Sequence, residues 1–399
     1  MSQHSVQRWL LVDGSAEFGG HEVMVLRLAR EVSRDARIHL QLLTREGSKL
    51  QRLAGAAAVP RALPHHPAVR SMAARVLDAC RDACVFARTL LRERPDLCVI
   101  ACGCLLAQPV YAPLARLLGV KVAIYVPIVD SARTMGFPTA KWRDGLMRLL
   151  YGNLPHAWIT ITRQQAASLR AWARVRRPIL TLPNTIEPQL EEWARKARGR
   201  ETTESTTLRA LVLGRLEPQQ KGLDMLLEYL ERAQPQHVRI HFVGSGWYAD
   251  RIRERMAANP RLQQVIELSA WSETRAMLQS HDVLLLTSRY EGVPLVMLEA
   301  MAAGVPVIAS DLPGTRAFLP AECLFQVGDV DAAFAQLNLL RAAAHRDAIV
   351  ARNRDVYWQS ASNAMFSVAV GQLMQQLREL AGAADAASAA TTLSASQRK

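Results

Sequence analysis

Arg289-Tyr-Glu-Gly-Val-Pro-Leu-Val-Met-Leu-Glu-Ala-Met-Ala-Ala-Gly-Val-Pro-Val-Ile-Ala-Ser310 reads as a loop, a helix and a buried strand. The run before it, Asp282-Val-Leu-Leu-Leu-Thr287, is apolar without alternation, the pattern of a parallel strand covered on both faces. Pro294 suits the first helical position, where a missing N–H costs nothing, and Gly304 and Pro306 end the helix and turn the chain into the next strand. Strand, helix and strand in this order predict a doubly wound α/β sheet, with the helix start at the carboxyl end of a strand, where such sheets bind ligands.

Two carboxylates mark the stretch. Glu291 lies in the loop, and Glu299 follows about one and a half turns into the helix, roughly 7–8 Å further along its axis. Between them, the free N–H groups of residues such as Val293 and Leu295, with the positive end of the helix dipole, form an anion site. A phosphate held there has one carboxylate toward each of its substituents. Taken alone, the same pair fits a solvated surface helix.

At 399 residues the chain exceeds one ordinary core, so two domains are expected. The 49 Lys and Arg against 36 Asp and Glu leave a formal charge of +13, which suits nucleic acid, an anionic membrane surface or phosphorylated substrates. Nucleic acid is excluded as a partner: no base-reading motif occurs, and the aromatics are few and scattered. The six cysteines (80, 84, 98, 102, 104 and 323) match no paired zinc spacing. No apolar stretch reaches the roughly 20 residues of a membrane span, and no basic start precedes one. A cytoplasmic protein with reduced thiols is expected, meeting the inner face of the plasma membrane only peripherally.

From the amino terminus, Trp9–Asp13 reads as a strand, followed by a loop containing Gly19 and Gly20 and then by a helix. Two glycines let the backbone approach a ligand at a helix start, although the three-glycine dinucleotide spacing is absent. Further strands are expected at 38–44, 97–102, 120–126, 158–162 and 178–183. A helix over 68–94 places Met72, Val76, Cys80 and Phe86 near one face and arginines around the rest, and Lys141-Trp-Arg143 forms a second basic patch. Both suit anionic headgroups, although arginines on such a helix more often form a solvated face. The polar stretch 187–207 reads as a linker between a first domain, 1–186, and a second, 208–356. The helix at 357–380 is expected to return to the first domain, and the Ala-, Ser- and Thr-rich 381–399 to be disordered.

The second domain opens with Leu208-Arg-Ala-Leu-Val-Leu-Gly214, with Arg215 next and Lys221-Gly222 at a helix start. This concentrates positive charge where a diphosphate would sit. Gly244 and Gly246 follow another strand, and Leu268 to Trp271 a third. For Trp271 a buried structural role is the stronger expectation.

The Gly-Gly loop, Arg215 with Lys221, and the pair Glu291 and Glu299, in that order, resemble the retaining glycosyltransferases of family 4. The resemblance spans Gly19 to about Leu380. It implies the GT-B fold: two Rossmann-like domains facing across a cleft, with a terminal helix packing back on the first. It also implies a hexosyltransferase acting on a nucleotide-sugar donor and a glycan or lipid-linked acceptor. By resemblance, Arg215 and Lys221 hold the donor phosphates, Glu291 the sugar and Glu299 the ribose. Gly214, Gly19, Gly20, Val293, Pro294 and Leu295 then line the donor site, and Gly244, Gly246, Leu268 and Trp271 lie near the base. No metal cofactor is expected, since no Asp-X-Asp pair is read as a seat for Mg²⁺ or Mn²⁺. The His that many members carry after the fourth strand is missing here, and Asp130 is the nearby polar residue. That departure leaves the catalytic group of the first domain unassigned. A nucleotide-sugar epimerase, a phosphorylase and a non-catalytic nucleotide-binding partner remain alternatives.

Overall fold

The computed structural model describes residues 6–55, 62–66, 71–196 and 207–396. The chain forms two compact units. The first takes in the chain to Pro183, except residues 133–138, and again from Ser367; the second holds those six residues and Asn184–Phe366. The first unit's main run ends at Pro183, against an expected 186, whereas the second unit begins at Asn184, against 208, and ends at Phe366, against 356.

Each unit is built on a parallel six-stranded sheet. The first has β1 (Gln7–Asp13), β2 (Ile38–Thr44), β3 (Leu97–Ala101), β4 (Lys121–Tyr125), β5 (Ala157–Thr160) and β6 (Ile179–Thr181), in the order β2-β1-β3-β4-β5-β6. The second has β7 (Leu208–Leu213), β8 (Val238–Val243), β9 (Ile266–Ser269), β10 (Val283–Leu286), β11 (Val307–Ser310) and β12 (Leu324–Phe325), in the order β12-β11-β10-β7-β8-β9. The central strands β3 and β10, Leu97-Cys-Val-Ile-Ala101 and Val283-Leu-Leu-Leu286, bury every residue, the pattern of strands covered on both faces.

This topology decides where a ligand can enter. In the second sheet the chain runs outward from β7 through β8 and β9, then returns to the other side of β7 as β10. The loops after β7 and β10 therefore leave neighbouring strands in opposite directions, opening a crevice at their carboxyl ends. The first sheet reverses in the same way between β1 and β3.

Several elements differ from expectation. The helix Met72–Glu93 buries Asp78, Asp82, Phe86 and Leu90, whereas Val76 and Cys80 are exposed. The reason is electrostatic: Asp82 accepts from Arg45 (2.9 Å), His66 (2.9 Å) and Tyr111 (3.4 Å), so the polar face turns inward. Arg70 lies outside the described residues. The start of the expected linker is a helix, Pro188–Lys196, fastened by Glu191, which accepts from the Tyr357 hydroxyl and the Asn363 N–H at 2.7 Å each. Residues 197–206 of that stretch lie outside the described residues. The last helix, Asn363–Ser396, takes in most of the tail read as disordered; alanine, the best helix former, dominates that stretch. It belongs to the first unit from Ser367, where Gln7 donates to the Arg378 carbonyl at 3.1 Å. All six cysteines are free thiols.

Candidate active site

At the carboxyl ends of β7 and β10 the chain places two loops side by side, and glycines decide how closely. A Cβ on Gly244 would meet the Gly214 carbonyl oxygen at 1.8 Å, and one on Gly246 the Leu216 carbonyl oxygen at 2.4 Å. Both glycines are replaceable only by moving the backbone. A Cβ on Gly222, in the left-handed region at φ 66°, would lie 2.1 Å from the Thr287 carbonyl oxygen. Gly222 thus lets the short helix Pro218–Lys221 close onto the end of β10. A Cβ on Gly314 would fall 1.5 Å from the Gly292 carbonyl oxygen, so the turn after β11 presses on the loop carrying Glu291.

Arg289 clamps this arrangement. Its guanidinium meets both Asp224 oxygens at 2.7 Å and the Pro218 carbonyl at 2.7 Å, and its N–H donates to the Gln220 carbonyl at 2.8 Å. Burial alone would raise the Asp224 carboxyl; the paired guanidinium outweighs it and holds the group below its usual range.

Held this way, Lys221 forms a nearly buried ion pair with Glu291. Glu291 is 8% exposed and also accepts from the Ser288 hydroxyl (2.9 Å) and the Gln220 amide (3.3 Å). Gln220 in turn accepts from Arg215 at 3.1 Å. Arg215, Lys221 and Glu291 are therefore one connected network, with Gln220 and Ser288 as members that sequence reading missed. Neither belongs to a motif; their position beside two charged residues was the only signal.

Pro294 is the cap of the helix Leu295–Ala303, one residue earlier than its expected role. Its ψ of 126° is extended, which its fixed ring allows and which leaves the turn to begin at Leu295. Among the described residues no acceptor meets the N–H of Val293, Leu295 or Val296. These are the first donors of the helix, pointing out of its positive end. The Val293 carbonyl is held by Asn184 at 2.8 Å.

Glu299 lies four residues into this helix, partly buried, and among the described residues no donor reaches its carboxylate. Burial, then the charge of Glu187, pushes its carboxyl from 4.5 up to about 7. Leu268 is half-buried, and Trp271 is 61% exposed, against the expectation of a buried structural role. Trp247, directly after Gly246, is also 61% exposed and was overlooked. Gly19 and Gly20 lie in the first unit, at the start of the helix Gly20–Val32. Asp329-Val-Asp331 does have an Asp-X-Asp spacing, which the sequence reading passed over. Asp329 caps a helix by accepting from the Ala332 N–H (2.9 Å), and Asp331 pairs with Arg232 (2.7 Å).

Residues 207–342 match the family described as glycosyl transferases group 1. That span holds Arg215, Lys221, Glu291 and Glu299. The chain is 29% identical to the lipopolysaccharide 1,6-galactosyltransferase of Salmonella typhimurium over 173 residues, 39% of this chain and 48% of that protein. Its matches span 25% to 53% of the length of the first curated relatives. Among solved structures, sucrose-phosphate synthase from Thermosynechococcus elongatus superposes with a TM-score of 0.72 at 18% identity, covering 93% of this chain and 99% of that one. HepE of Anabaena, solved with UDP-glucose, gives 0.70 at 15%, covering 93% and 100%. The fold is that of these GT-B glycosyltransferases.

Glu299 generates a pH prediction. The folded state keeps this proton where the unfolded chain has released it, so the group favours folding fully below about pH 4.5, and that contribution is lost as pH rises to about 7. The thermal midpoint should fall more steeply from about pH 5 to 8 in the native chain than in Glu299→Gln, whose amide does not titrate. Equal slopes would contradict a raised carboxyl.

Proposed function

We propose that the chain is a retaining glycosyltransferase of family 4 that moves a hexose from a nucleoside diphosphate sugar to a glycan acceptor, lipid-linked, in bacterial surface polysaccharide assembly. The observation carrying this reading is the network of Arg215, Gln220, Lys221 and Glu291 beside the unmet N–H groups of Val293, Leu295 and Val296, at the topological switch point of a parallel sheet. The relatives' names point the same way, as glycosyltransferases of lipopolysaccharide and of diphosphoundecaprenol-linked sugar.

In this reading the donor's bond from the anomeric carbon to the phosphate oxygen breaks, and the diphosphate leaves with the electron pair. Arg215, Lys221 and the helix start carry that growing charge, so the leaving group needs no metal ion. The acceptor hydroxyl bonds to the anomeric carbon, and its proton passes to the departing phosphate. Glu291 orients sugar hydroxyls and Glu299 the ribose. Retention fits this step, because a departing phosphate that takes the acceptor's proton lies on the same face of the sugar as the acceptor.

Lys221→Ala should raise the dissociation constant for the nucleoside diphosphate at least about tenfold, the loss of a close charge partner. Glu291→Ala should leave that constant within about twofold while transfer falls at least about a hundredfold. Calorimetry and a radiolabelled transfer assay with anomer analysis would check this; equal loss of nucleotide binding in both variants, or an inverted product, would contradict it.

Membrane contact is part of the proposal. No helix among the described residues is long and apolar enough to cross a membrane. The helix Ala140–Leu149 and the residue after it expose Trp142 (69%), Leu149 (82%) and Leu150 (69%) beside Lys141 and Arg148. Arg143 does not join them; it turns inward to the carbonyls of Leu105 and Leu106, both at 3.4 Å. Apolar side chains flanked by cations suit an anionic interface. Trp142→Ala with Leu149→Ala should weaken binding to phosphatidylglycerol vesicles at least about tenfold. Unchanged co-sedimentation would remove this surface from the account.

A further inference from the structure

At the carboxyl end of the first sheet, three side chains that the transfer reaction does not use converge. Asp13 closes β1 and is fully buried; its Oδ1 accepts the Ser15 N–H at 2.8 Å, and its Oδ2 has no hydrogen-bond partner. His21 follows in the first turn of the helix Gly20–Val32. Its side chain is 9% exposed, neither ring nitrogen has a hydrogen-bond partner, and Nε2 stands 3.6 Å from Asp13 Oδ2. Glu22 is next, with one oxygen accepting the Gly19 N–H at 2.7 Å and the other left over. One donor atom from each of the three lies within 4.8 Å of the other two. Against this group, the His21 ring stacks on Tyr125 at 5.5 Å, and the buried Tyr125 hydroxyl is also without a partner.

An unmet buried polar atom costs about 1–3 kcal/mol, so several in one place point to something that satisfies them together. Two carboxylates against one imidazole call for a cation. The donor set then selects among cations. An imidazole with two carboxylates suits first-row transition ions, whereas Ca²⁺ and Mg²⁺ favour oxygen alone. Two donors each about 2.0–2.1 Å from a tetrahedral Zn²⁺ stand about 3.4 Å apart, close to the observed His21 to Asp13 separation.

We propose that Asp13, His21 and Glu22 bind one divalent transition-metal ion of the zinc class. The ion joins the end of β1 to the first turn of the following helix. It thereby fixes both ends of the loop holding Gly19 and Gly20, whose near end is already pinned by Arg45 donating to the Gly14 carbonyl at 2.7 Å.

The test uses the full chain, stripped with EDTA and dialysed against Zn²⁺, with metal counted by mass spectrometry. Cys80 and Cys84 are exposed one helical turn apart and would take zinc adventitiously, so the Cys80→Ser, Cys84→Ser background carries the measurement. One ion per chain is expected there, with affinity falling at least tenfold on adding His21→Ala or Asp13→Asn. Cobalt(II) added to the same background should give visible d–d bands without thiolate charge transfer, a readout that stands even if the alanine variant does not fold. Zinc no higher than the stripped background would overturn the proposal. Binding unchanged in both variants would overturn it as adventitious.

Discussion

Lys221 and Glu291 are 70 residues apart in sequence and meet in a nearly dry pocket, and much of the second domain serves to keep them there. A buried ion pair gains little net stability, because desolvation offsets attraction; breaking one by removing a partner costs several kcal/mol. Such a pair persists only in a frame that holds both members. The frame here is the strand order, which puts β7 beside β10, together with Gly222, Gly244 and Gly246, whose missing side chains let the loops touch. The bidentate clamp of Arg289 on Asp224 fixes the loop from the other side.

The same constraint gives the proposed chemistry its economy. Before substrate arrives, Lys221 is neutralised by Glu291, so the pocket does not hold an uncompensated cation. A diphosphate entering at the helix start would draw Lys221 toward its phosphates, with Arg215, and free Glu291 to accept hydroxyls from the sugar. One ion pair would be exchanged for two interactions on the substrate, one at each side of the bond that breaks. Glu299, left without a donor, is suited to a diol at the far end of the same ligand.

The sheets were legible because parallel strands buried on both faces read as unbroken apolar runs, and each expected strand lies within two or three residues of an observed one. The charged members of the site were legible too, since Arg, Lys and Glu beside glycines at strand ends are unusual. What escaped has physical reasons. Gln220 and Ser288 matter only through contacts made across the pocket, and neutral polar residues carry no pattern of their own. The inward face of the helix Met72–Glu93 was misread because Arg45 and His66, distant in sequence, demand its aspartates. Arg143 looked like a surface cation until two carbonyls claimed it. Asp13, His21 and Glu22 went unnoticed because a loop separates the strand residue from the other two.

The central claim is that the helix Leu295–Ala303 and its surrounding loops seat a nucleoside diphosphate. Thermal unfolding of the chain with UDP, GDP, ADP and dTDP, in the native protein and in Glu299→Ala, addresses it most directly. One of the four, at about 100 times its dissociation constant, should add about 2.7 kcal/mol of stability, and Glu299→Ala should lose that gain. If none of the four moves the midpoint of the native chain, the pocket is not a donor site.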